Sequence, residues 1–216
     1  MRIVLLGAPG AGKGTQCKYI VGKYDMLHLS SGDILRQHRA EGTELGKKAQ
    51  SFMDSGKLVP DGIIVEMMID RINKAPKIGF VLDGFPRTVN QAVELDKALV
   101  LSGKKLDIIV NLKVDEDVVL KRITGRRSCP KCGAVYHIVN LKPKVDGVCD
   151  RDGVKLIQRP DDTAEVVVSR LKTYYQQTVP VVDYYKAENN VCEIDANKDA
   201  EEVQETLFAE LDVLVK

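Results

Sequence analysis

The sequence has almost no net charge, no long apolar run and nothing that resembles an export signal. Its 32 Lys and Arg stand against 31 Asp and Glu, a formal charge of +1, which argues against a basic surface built for nucleic acid. No apolar run approaches the roughly 18 residues that cross a bilayer, so we expect no membrane partner. The apolar start, residues 1–6, is too short for a signal peptide, so we expect a cytoplasmic protein.

The sequence does contain enough apolar material for a folded domain. Of its 216 residues, 44% are hydrophobic and 29% are charged, which suits one domain with room for a small insertion. Short apolar runs alternate with helical patterns, which indicates an α/β fold with a parallel sheet. Strands are predicted at 2–6, 27–29, 79–82, 107–112 and 191–194. Helices are predicted at 13–24, 32–40, 44–55, 61–73, 88–101, 116–125, 163–187 and 200–215.

Two stretches interrupt this alternation. Residues 30–73 hold several short helices without a strand between them, which indicates a helical flap. Residues 126–160 lose helical periodicity and gain Cys, Gly, Pro and Lys, which indicates an inserted module.

A glycine-rich segment, residues 7–15, joins the first predicted strand to the first predicted helix. Glycines allow backbone N–H groups to surround an anion, and the helix N-terminus adds positive charge. Lys13 would then reach the β- and γ-phosphates of a nucleotide. The usual pattern has Ser or Thr directly after the lysine, whereas here Gly14 intervenes and Thr15 is the candidate hydroxyl near Mg²⁺. The segment predicts a P-loop; an ordinary glycine-rich turn is the alternative.

A P-loop alone does not separate a GTPase, a motor ATPase and a small kinase. A GTPase needs Asn-Lys-x-Asp to read guanine, and the Asn-Lys pairs at 73–74 and 197–198 lack that aspartate. A kinase needs a second site for an anionic acceptor, which arginines after strands or beside the inserted module would supply. Each would be an ordinary surface residue by itself. The candidates are Arg36, Arg87, Arg126, Arg127, Arg159 and Arg170.

Together these segments resemble the adenylate kinase family in its long-lid bacterial form. The matching segments are 7–16, 29–36, 56–61, 83–91, 125–127, 159–162 and Arg170, so the resemblance covers essentially the whole chain. It implies a P-loop NTPase-type parallel five-stranded sheet flanked by helices. It also implies a core at 1–29, 60–125 and 161–216, an AMP-binding flap at 30–59 and a zinc-ribbon-like lid at 126–160. The implied reaction is reversible phosphoryl transfer from ATP to AMP, giving two ADP.

The resemblance implies a role for each matching residue. ATP would contact Gly10, Ala11, Gly12, Lys13, Gly14, Thr15, Arg126, Val135, Tyr136 and Lys198. AMP would contact Ser31, Arg36, Lys57, Leu58, Val59, Gly84, Phe85, Pro86, Arg87, Gln91, Arg159 and Arg170. Thr15 and Asp83 would hold Mg²⁺ through water, and the catalytic cations would be Lys13, Arg87, Arg126, Arg159 and Arg170.

The implied chemistry follows from charge. Ser31 stands where many family members have Thr, and the hydroxyl is retained. The amide of Gln91 can pair with the edge of adenine, which favours AMP over CMP or UMP. The acceptor oxygen of AMP is already anionic, so alignment and charge neutralisation suffice without a general base. A closing lid would exclude water.

Three cysteines crowd between 129 and 149 in a chain with five. Cys129-x2-Cys132 and Cys149-x2-Asp152 have the spacing of a zinc ribbon with one ligand changed. Such a site would be structural, because four protein ligands leave no open position. Unpaired thiols or a disulfide are the alternatives, His137 and Asp150 are rival ligands, and ligand type alone does not separate zinc from iron.

Other functions stay open at this point. One is a kinase for another nucleoside monophosphate, or one that takes its phosphoryl group from GTP. A more distant one is a P-loop ATPase whose zinc module binds nucleic acid or protein. That alternative predicts a strongly basic module, and residues 129–152 mix lysines with aspartates. We expect a monomer, because a flap and a lid that move both need free surface.

Overall fold

The computed structural model describes residues 1–75, 79–188 and 191–215. Its centre is a sheet of five parallel strands in the order β2-β3-β1-β4-β7, and a separate antiparallel pair is formed by β5 and β6. The strands are β1 (Arg2–Gly7), β2 (Leu27–Ser30), β3 (Phe80–Asp83), β4 (Ile108–Lys113), β5 (Arg126–Ser128), β6 (Val135–His137) and β7 (Val191–Asp195). The predicted five-stranded parallel sheet is confirmed.

Helices cover both faces of this sheet. They are α1 (Lys13–Tyr24), α2 (Ser31–Ala40), α3 (Glu44–Asp54), α4 (Asp61–Asn73), α5 (Val89–Leu101), α6 (Glu116–Thr124), α7 (Ala164–Thr173), α8 (Val179–Glu188) and α9 (Ala200–Asp212). The predicted strands and helices lie where the sequence predicts them, with ends shifted by up to three residues, except for the helix predicted over 163–187. The short strands β5 and β6 were not predicted.

Alternate residues of the central strand point to opposite cores. Val4 and Leu6 pack with apolar side chains of α4, α5 and α8. Ile3 and Leu5 pack on the other face with those of α1 and α9. All four are nearly inaccessible to solvent. This burial on both faces explains why β1 is a continuous apolar run and not an alternating one.

The prediction of one α-helix over 163–187 is wrong in one turn. A π turn, Tyr174–Thr178, joins α7 to α8, and the N–H of Val179 bonds to Tyr174 O five residues earlier. The next residue, Pro180, has no N–H, and in an α-helix its ring would clash with the carbonyl four residues before it. A wider turn at this point relieves that clash.

The division into core, flap and lid remains a prediction. Residues 30–59 include α2 and α3, and residues 126–160 include β5 and β6. The predicted core also contains residues 76–78, 189–190 and 216, which lie outside the described residues. Within the described part of the chain, no helix is long and apolar enough to span a bilayer.

Candidate active site

The loop between β1 and α1 is shaped to receive an anion. Gly10 and Gly12 have φ angles of 77° and 94°, which glycine adopts without strain. Lys13 is the first residue of α1, and its Nζ donates to Gly7 O at 2.7 Å and to Ala8 O at 2.9 Å. The ammonium group therefore lies over the loop, beside the backbone N–H groups at a helix N-terminus.

Burial weakens the hold of Lys13 on its proton. Burial lowers the pKa of Lys13 to about 8, Asp83 opposes this effect, and the charges of Arg87 and Arg170 lower the pKa further. A phosphate group placed beside the lysine would favour its charged form. The lysine is thus prepared for an anionic ligand.

Asp83 ends β3 beside the first turn of α1. A Cβ built on Gly14 would lie 3.5 Å from Asp83 Oδ2, and His28 Nε2 lies 3.5 Å from the same oxygen. Burial raises the pKa of Asp83, but the nearby His28 ring and the charge of Lys13 outweigh burial and hold the pKa below its usual value. An ionised carboxylate fits the preference of Mg²⁺ for oxygen ligands. Thr15, the other predicted residue, is exposed on α1.

Five arginines lie near enough to one another to shift each other's pKa values, and two of them, Arg87 and Arg170, also act on Lys13. Burial lowers the pKa of Arg159 to about 10, and the charges of Arg36 and Arg126 lower it further. Burial also lowers the pKa of Arg170 to about 10, with added contributions from Arg126 and Arg87. A cluster of desolvated cations favours a multiply charged anion between its members.

Two aspartates in the turn at Pro160–Asp162 hold a pair of these arginines. Arg126 Nε donates to Asp162 Oδ2 at 2.8 Å, and its Nη2 bonds to the other carboxylate oxygen. Arg170 Nη1 donates to Asp161 Oδ2 at 3.1 Å and lies 3.5 Å from Asp162 Oδ1. Asp162 is fully buried. Its carboxylate therefore fixes the positions of the Arg126 and Arg170 guanidinium groups.

Two further arginines are held by polar partners. Arg36 forms an ion pair with Asp33 on the same helix. Arg159 Nε donates to Ser128 Oγ at 2.9 Å. Each contact leaves other guanidinium N–H groups available to a ligand, because a guanidinium has five.

One cavity collects most of the predicted AMP residues. Its walls include Ser31, Arg36, Lys57, Leu58, Val59, Gly84, Arg87, Gln91 and Arg170. They also include Gly32, Leu35, Met53, Gly56, Ile64 and Asp161, which sequence analysis did not single out. Phe85 and Pro86 are instead buried in the protein, and Arg159 does not line this cavity. Walls with both aliphatic and guanidinium groups suit a molecule with a base and a phosphate.

Gly84 lies where two polar side chains meet. Ser31 Oγ donates to Gly84 O at 2.6 Å, and Arg87 Nε donates to the same oxygen at 2.7 Å. Gly84 has a φ of 73°, and a Cβ there would lie 2.7 Å from Arg87 Nη2. Only glycine allows the arginine to approach this closely.

Gln91 is fixed by a residue that sequence analysis did not identify. Asp61 accepts from Gln91 Nε2 at 2.7 Å, from Thr88 Oγ1 at 2.8 Å and from Asn90 Nδ2 at 3.2 Å. Gln91 Oε1 accepts the backbone N–H of Arg87 at 2.7 Å. No local pattern links Asp61 to Gln91, because they are 30 residues apart.

The residues predicted at the adenine end of the donor site lie in two places. Lys198 follows β7, and its carbonyl accepts from Arg122 Nη2 at 2.9 Å, while Arg122 Nη1 donates to Ala196 O at 2.7 Å. Arg122 thus secures this loop and was also missed from the sequence. Val135 and Tyr136 lie on β6, where Tyr136 is buried in a small apolar cluster.

The four predicted metal ligands come together in the segment after β5. One ligand atom from each of Cys129, Cys132, Cys149 and Asp152 lies within 4.8 Å of all the others. Cys132 Sγ is 3.7 Å from Cys149 Sγ, and Cys129 Sγ is 3.2 Å from Asp152 Oδ2. Thiolates bound tetrahedrally to zinc at about 2.3 Å are about 3.8 Å apart, so the donor set fits zinc. A disulfide needs about 2.05 Å, and all three cysteines are free.

The two halves of this cluster have the same local geometry. Gly133 follows Cys132 and donates to Cys129 O at 3.1 Å, and Gly153 follows Asp152 and donates to Cys149 O at 2.9 Å. Both glycines have a positive φ, 70° and 66°, which suits a tight turn. Each half thus presents two ligands from one knuckle.

The rival ligands are engaged elsewhere. His137 Nδ1 accepts the backbone N–H groups of Val139 and Asn140. Asp150 Oδ1 accepts the N–H of Lys144 at 2.8 Å. Among the described residues, a second group of side chains of metal-ligating types, Cys17, His28 and Asp83, lies beside the P-loop with ligand atoms within 4.8 Å of one another.

Comparison with known proteins agrees with this architecture. The family model described as adenylate kinase matches residues 5–190. An adenylate kinase of Thermoanaerobacter sp. (strain X514) is 50% identical over 208 residues, covering 96% of each chain. The chain is also similar to an adenylate kinase of Finegoldia magna, with 48% identity over 98% of this chain and 99% of the relative. An adenylate kinase of Caldicellulosiruptor bescii is 51% identical over 87% of each chain. With its parallel sheet, P-loop and arginine cluster, the chain belongs to the adenylate kinase family.

Proposed function

We propose that this chain catalyses the reversible, Mg²⁺-dependent transfer of a phosphoryl group from ATP to AMP, giving two ADP. The observation that carries the proposal is that Arg87 and Arg170 act on Lys13 of the P-loop and also line the cavity beside Gln91. These two arginines therefore connect the donor site with the acceptor site. Membership of the adenylate kinase family supports the same reaction.

The donor would lie against the P-loop. The backbone of residues 10–15 would surround the phosphates of ATP, and Lys13 would exchange its bonds to Gly7 O and Ala8 O for phosphate oxygens. Arg126 would approach from β5, with contacts from Val135, Tyr136 and Lys198 at the nucleoside end. The hydroxyl of Tyr136 accepts the N–H of Asp150 at 2.9 Å, and the ring of Tyr136 is buried. We therefore assign the contact between Tyr136 and ATP to the backbone of this residue.

The acceptor would lie in the cavity beside α2 and α5. Gln91 would pair with the base, Ser31 would contact the nucleoside, and Arg36, Arg87 and Arg170 would bind the phosphate. Arg159, whose pKa is lowered by burial and by the neighbouring charges of Arg36 and Arg126, does not line this cavity and would reach the phosphates from the other side.

The chemistry requires charge and alignment more than proton transfer. The attacking oxygen of AMP is anionic at neutral pH, so no general base is needed. Lys13 and the converging arginines would neutralise charge that spreads over the phosphoryl oxygens during transfer. Asp162 contributes indirectly, because it orients Arg126 and Arg170.

Mg²⁺ bound with ATP would supply further positive charge to the phosphate oxygens. Asp83 is the residue best suited to order the ion through water, since its carboxylate is ionised and lies beside the P-loop helix. Thr15 is the nearest hydroxyl in sequence after the lysine.

We assign three parts to the chain: a core, an acceptor flap at 30–59 and a lid at 126–160. Closure of the lid over the donor would exclude water and so prevent hydrolysis of ATP. A zinc ion bound by Cys129, Cys132, Cys149 and Asp152 would stabilise the lid, whose apolar cluster contains five buried residues. We further propose that the protein is a cytoplasmic monomer that binds neither nucleic acid nor membranes.

A coupled assay tests this function. With ATP as donor, AMP should give two ADP per turnover, while CMP, UMP and GMP should give little product. ATP turnover without any monophosphate, stimulated by DNA or RNA, would contradict the proposal and favour a P-loop ATPase. A faster reaction with CMP, or with GTP as donor, would mean that the chain is a nucleoside monophosphate kinase with substrates other than ATP and AMP.

A further inference from the structure

Asp61 touches Gln91 but does not line the cavity that Gln91 enters. Its carboxylate receives three side-chain hydrogen bonds, from Thr88, Asn90 and Gln91. Asp61 begins α4, and Thr88 and Gln91 belong to the start of α5. The carboxylate therefore links the two helix starts and takes one N–H of the only amide side chain in the cavity wall described here.

The two partners of the Gln91 amide determine its orientation. Asp61 offers only acceptor oxygens when ionised, so Nε2 must face it. The backbone N–H of Arg87 is only a donor, so Oε1 must face that group. Turning the amide by 180° would place oxygen against carboxylate and N–H against N–H. Since Gln91 is only 2% exposed, water cannot compensate for either mismatch.

The fixed amide still has capacity for a ligand. Nε2 carries a second hydrogen and Oε1 has a second lone pair. Towards the cavity the side chain can thus donate through nitrogen and accept through oxygen at the same time. The edge of adenine complements this pattern, because N1 accepts and the 6-amino group donates. Hypoxanthine and guanine have the reverse pattern, with N1–H as donor and O6 as acceptor.

We propose that Asp61 is a specificity-determining positioning residue that locks the Gln91 amide in the orientation that accepts adenine and rejects 6-oxopurines. The inference rests on the proposed function, since it assumes that AMP occupies this cavity. Asp61 acts through Gln91 and has no role in phosphoryl transfer. The rejection comes from two unfavourable pairings with an amide that is only 2% exposed, and an amide free to turn over would avoid both.

IMP is the appropriate competitor, because it differs from AMP only at the 6-substituent and the N1 proton. The experiment measures kcat/KM for AMP and for IMP, with ATP as donor, in the wild type and in Asp61→Asn. The asparagine side chain can accept or donate, so it removes the restraint at Nε2 and leaves only the N–H of Arg87 to oppose a turned amide. We expect the AMP-to-IMP ratio of kcat/KM to fall by about 10- to 100-fold. For AMP, KM should rise while kcat changes little, because the arginines are untouched.

Two further variants separate positioning from general stability. Asp61→Ser retains a small polar residue at the start of α4 and removes the carboxylate, so it should also lower the ratio. Asn90→Ala removes an exposed side chain that bonds the same carboxylate, and should leave the ratio unchanged. If both Asp61 variants reduce AMP and IMP activity equally, the inference is wrong. Wild-type protein that does not phosphorylate AMP would overturn the proposed function instead.

Discussion

Lys13 carries a charge that titrates within the working range of most enzymes. Burial lowers its pKa to about 8, so raising the pH through this value removes the ammonium from the unliganded protein. Because kcat/KM reports ionisations of the free enzyme, we expect kcat/KM for ATP to fall above about pH 8. The measurement is kcat/KM for ATP with AMP well below its KM, so that the free enzyme is titrated, from about pH 6 to about pH 10.

The matched variant is Lys13→Arg, whose guanidinium remains charged throughout this range. Its activity should be lower because the geometry changes, but its profile should lack the decline above about pH 8. A wild-type profile that stays level to about pH 10 would show that the lysine keeps its proton.

Asp162 is the buried carboxylate on which two arginines depend. Replacing it by Asn leaves Arg126 and Arg170 with one partner charge fewer in a largely buried site. Removing one member of a buried ion pair costs about 3–5 kcal/mol, so we expect Asp162→Asn to lower the free energy of unfolding by about this amount. Denaturant unfolding measures the change.

The exposed pair formed by Lys97 and Glu94 provides the control for Asp162. Exposed pairs contribute only about 0–1 kcal/mol, so Glu94→Gln should change stability little. Equal losses for the two variants would mean that burial does not distinguish these ion pairs.

The paired knuckles between β5 and α7 lead to a prediction about the metal. Cys129→Ser removes one of four clustered ligands, so we expect loss of bound metal and a lower Tm. Activity at low temperature should be largely retained, because none of the four ligands belongs to the P-loop or to the arginines of the proposed transfer site. Metal content per chain and thermal unfolding are measured together. Cys192→Ser, outside the cluster, is the control. Unchanged metal content in Cys129→Ser would show that the proposed set of four ligands is wrong.

The regular elements were predictable because each has a local cause. Buried strands such as β1 and β4 are short apolar runs bounded by turn residues. The π turn at Tyr174–Thr178 was not predictable from periodicity, which remains helical across it. It depends on where Pro180 lies relative to one carbonyl. Strands β5 and β6 have three residues each, too few for a pattern to emerge.

For the molecule as a whole, the proposed geometry requires two nucleotides to meet end to end. A mimic in which five phosphates join two adenosines should therefore bind one molecule per chain. Its binding should raise Tm more than ATP or AMP at the same free concentration, because a ligand held by both sites has the lower Kd. Calorimetry gives the stoichiometry. Two molecules per chain, or no binding, would contradict the head-to-head arrangement.

The site was predictable where its residues stand in short motifs. Lys13 and Gly84 belong to such motifs, and the four clustered metal ligands share a regular spacing. Asp61 and Arg122 were missed because each acts on residues far away in sequence, through a side chain common on protein surfaces. Only the folded chain reveals that these two charges hold other groups in place.

The hydrogen bonds from Lys13 to Gly7 O and Ala8 O also make the loop selective among anions. An arriving anion must replace two existing bonds before it gains from the ammonium charge. Sulfate or inorganic phosphate has few oxygens to share between the lysine and the arginines. A chain of linked phosphates has many, so we expect a nucleotide to replace the two carbonyls as partners of Lys13 more readily than simple inorganic anions do.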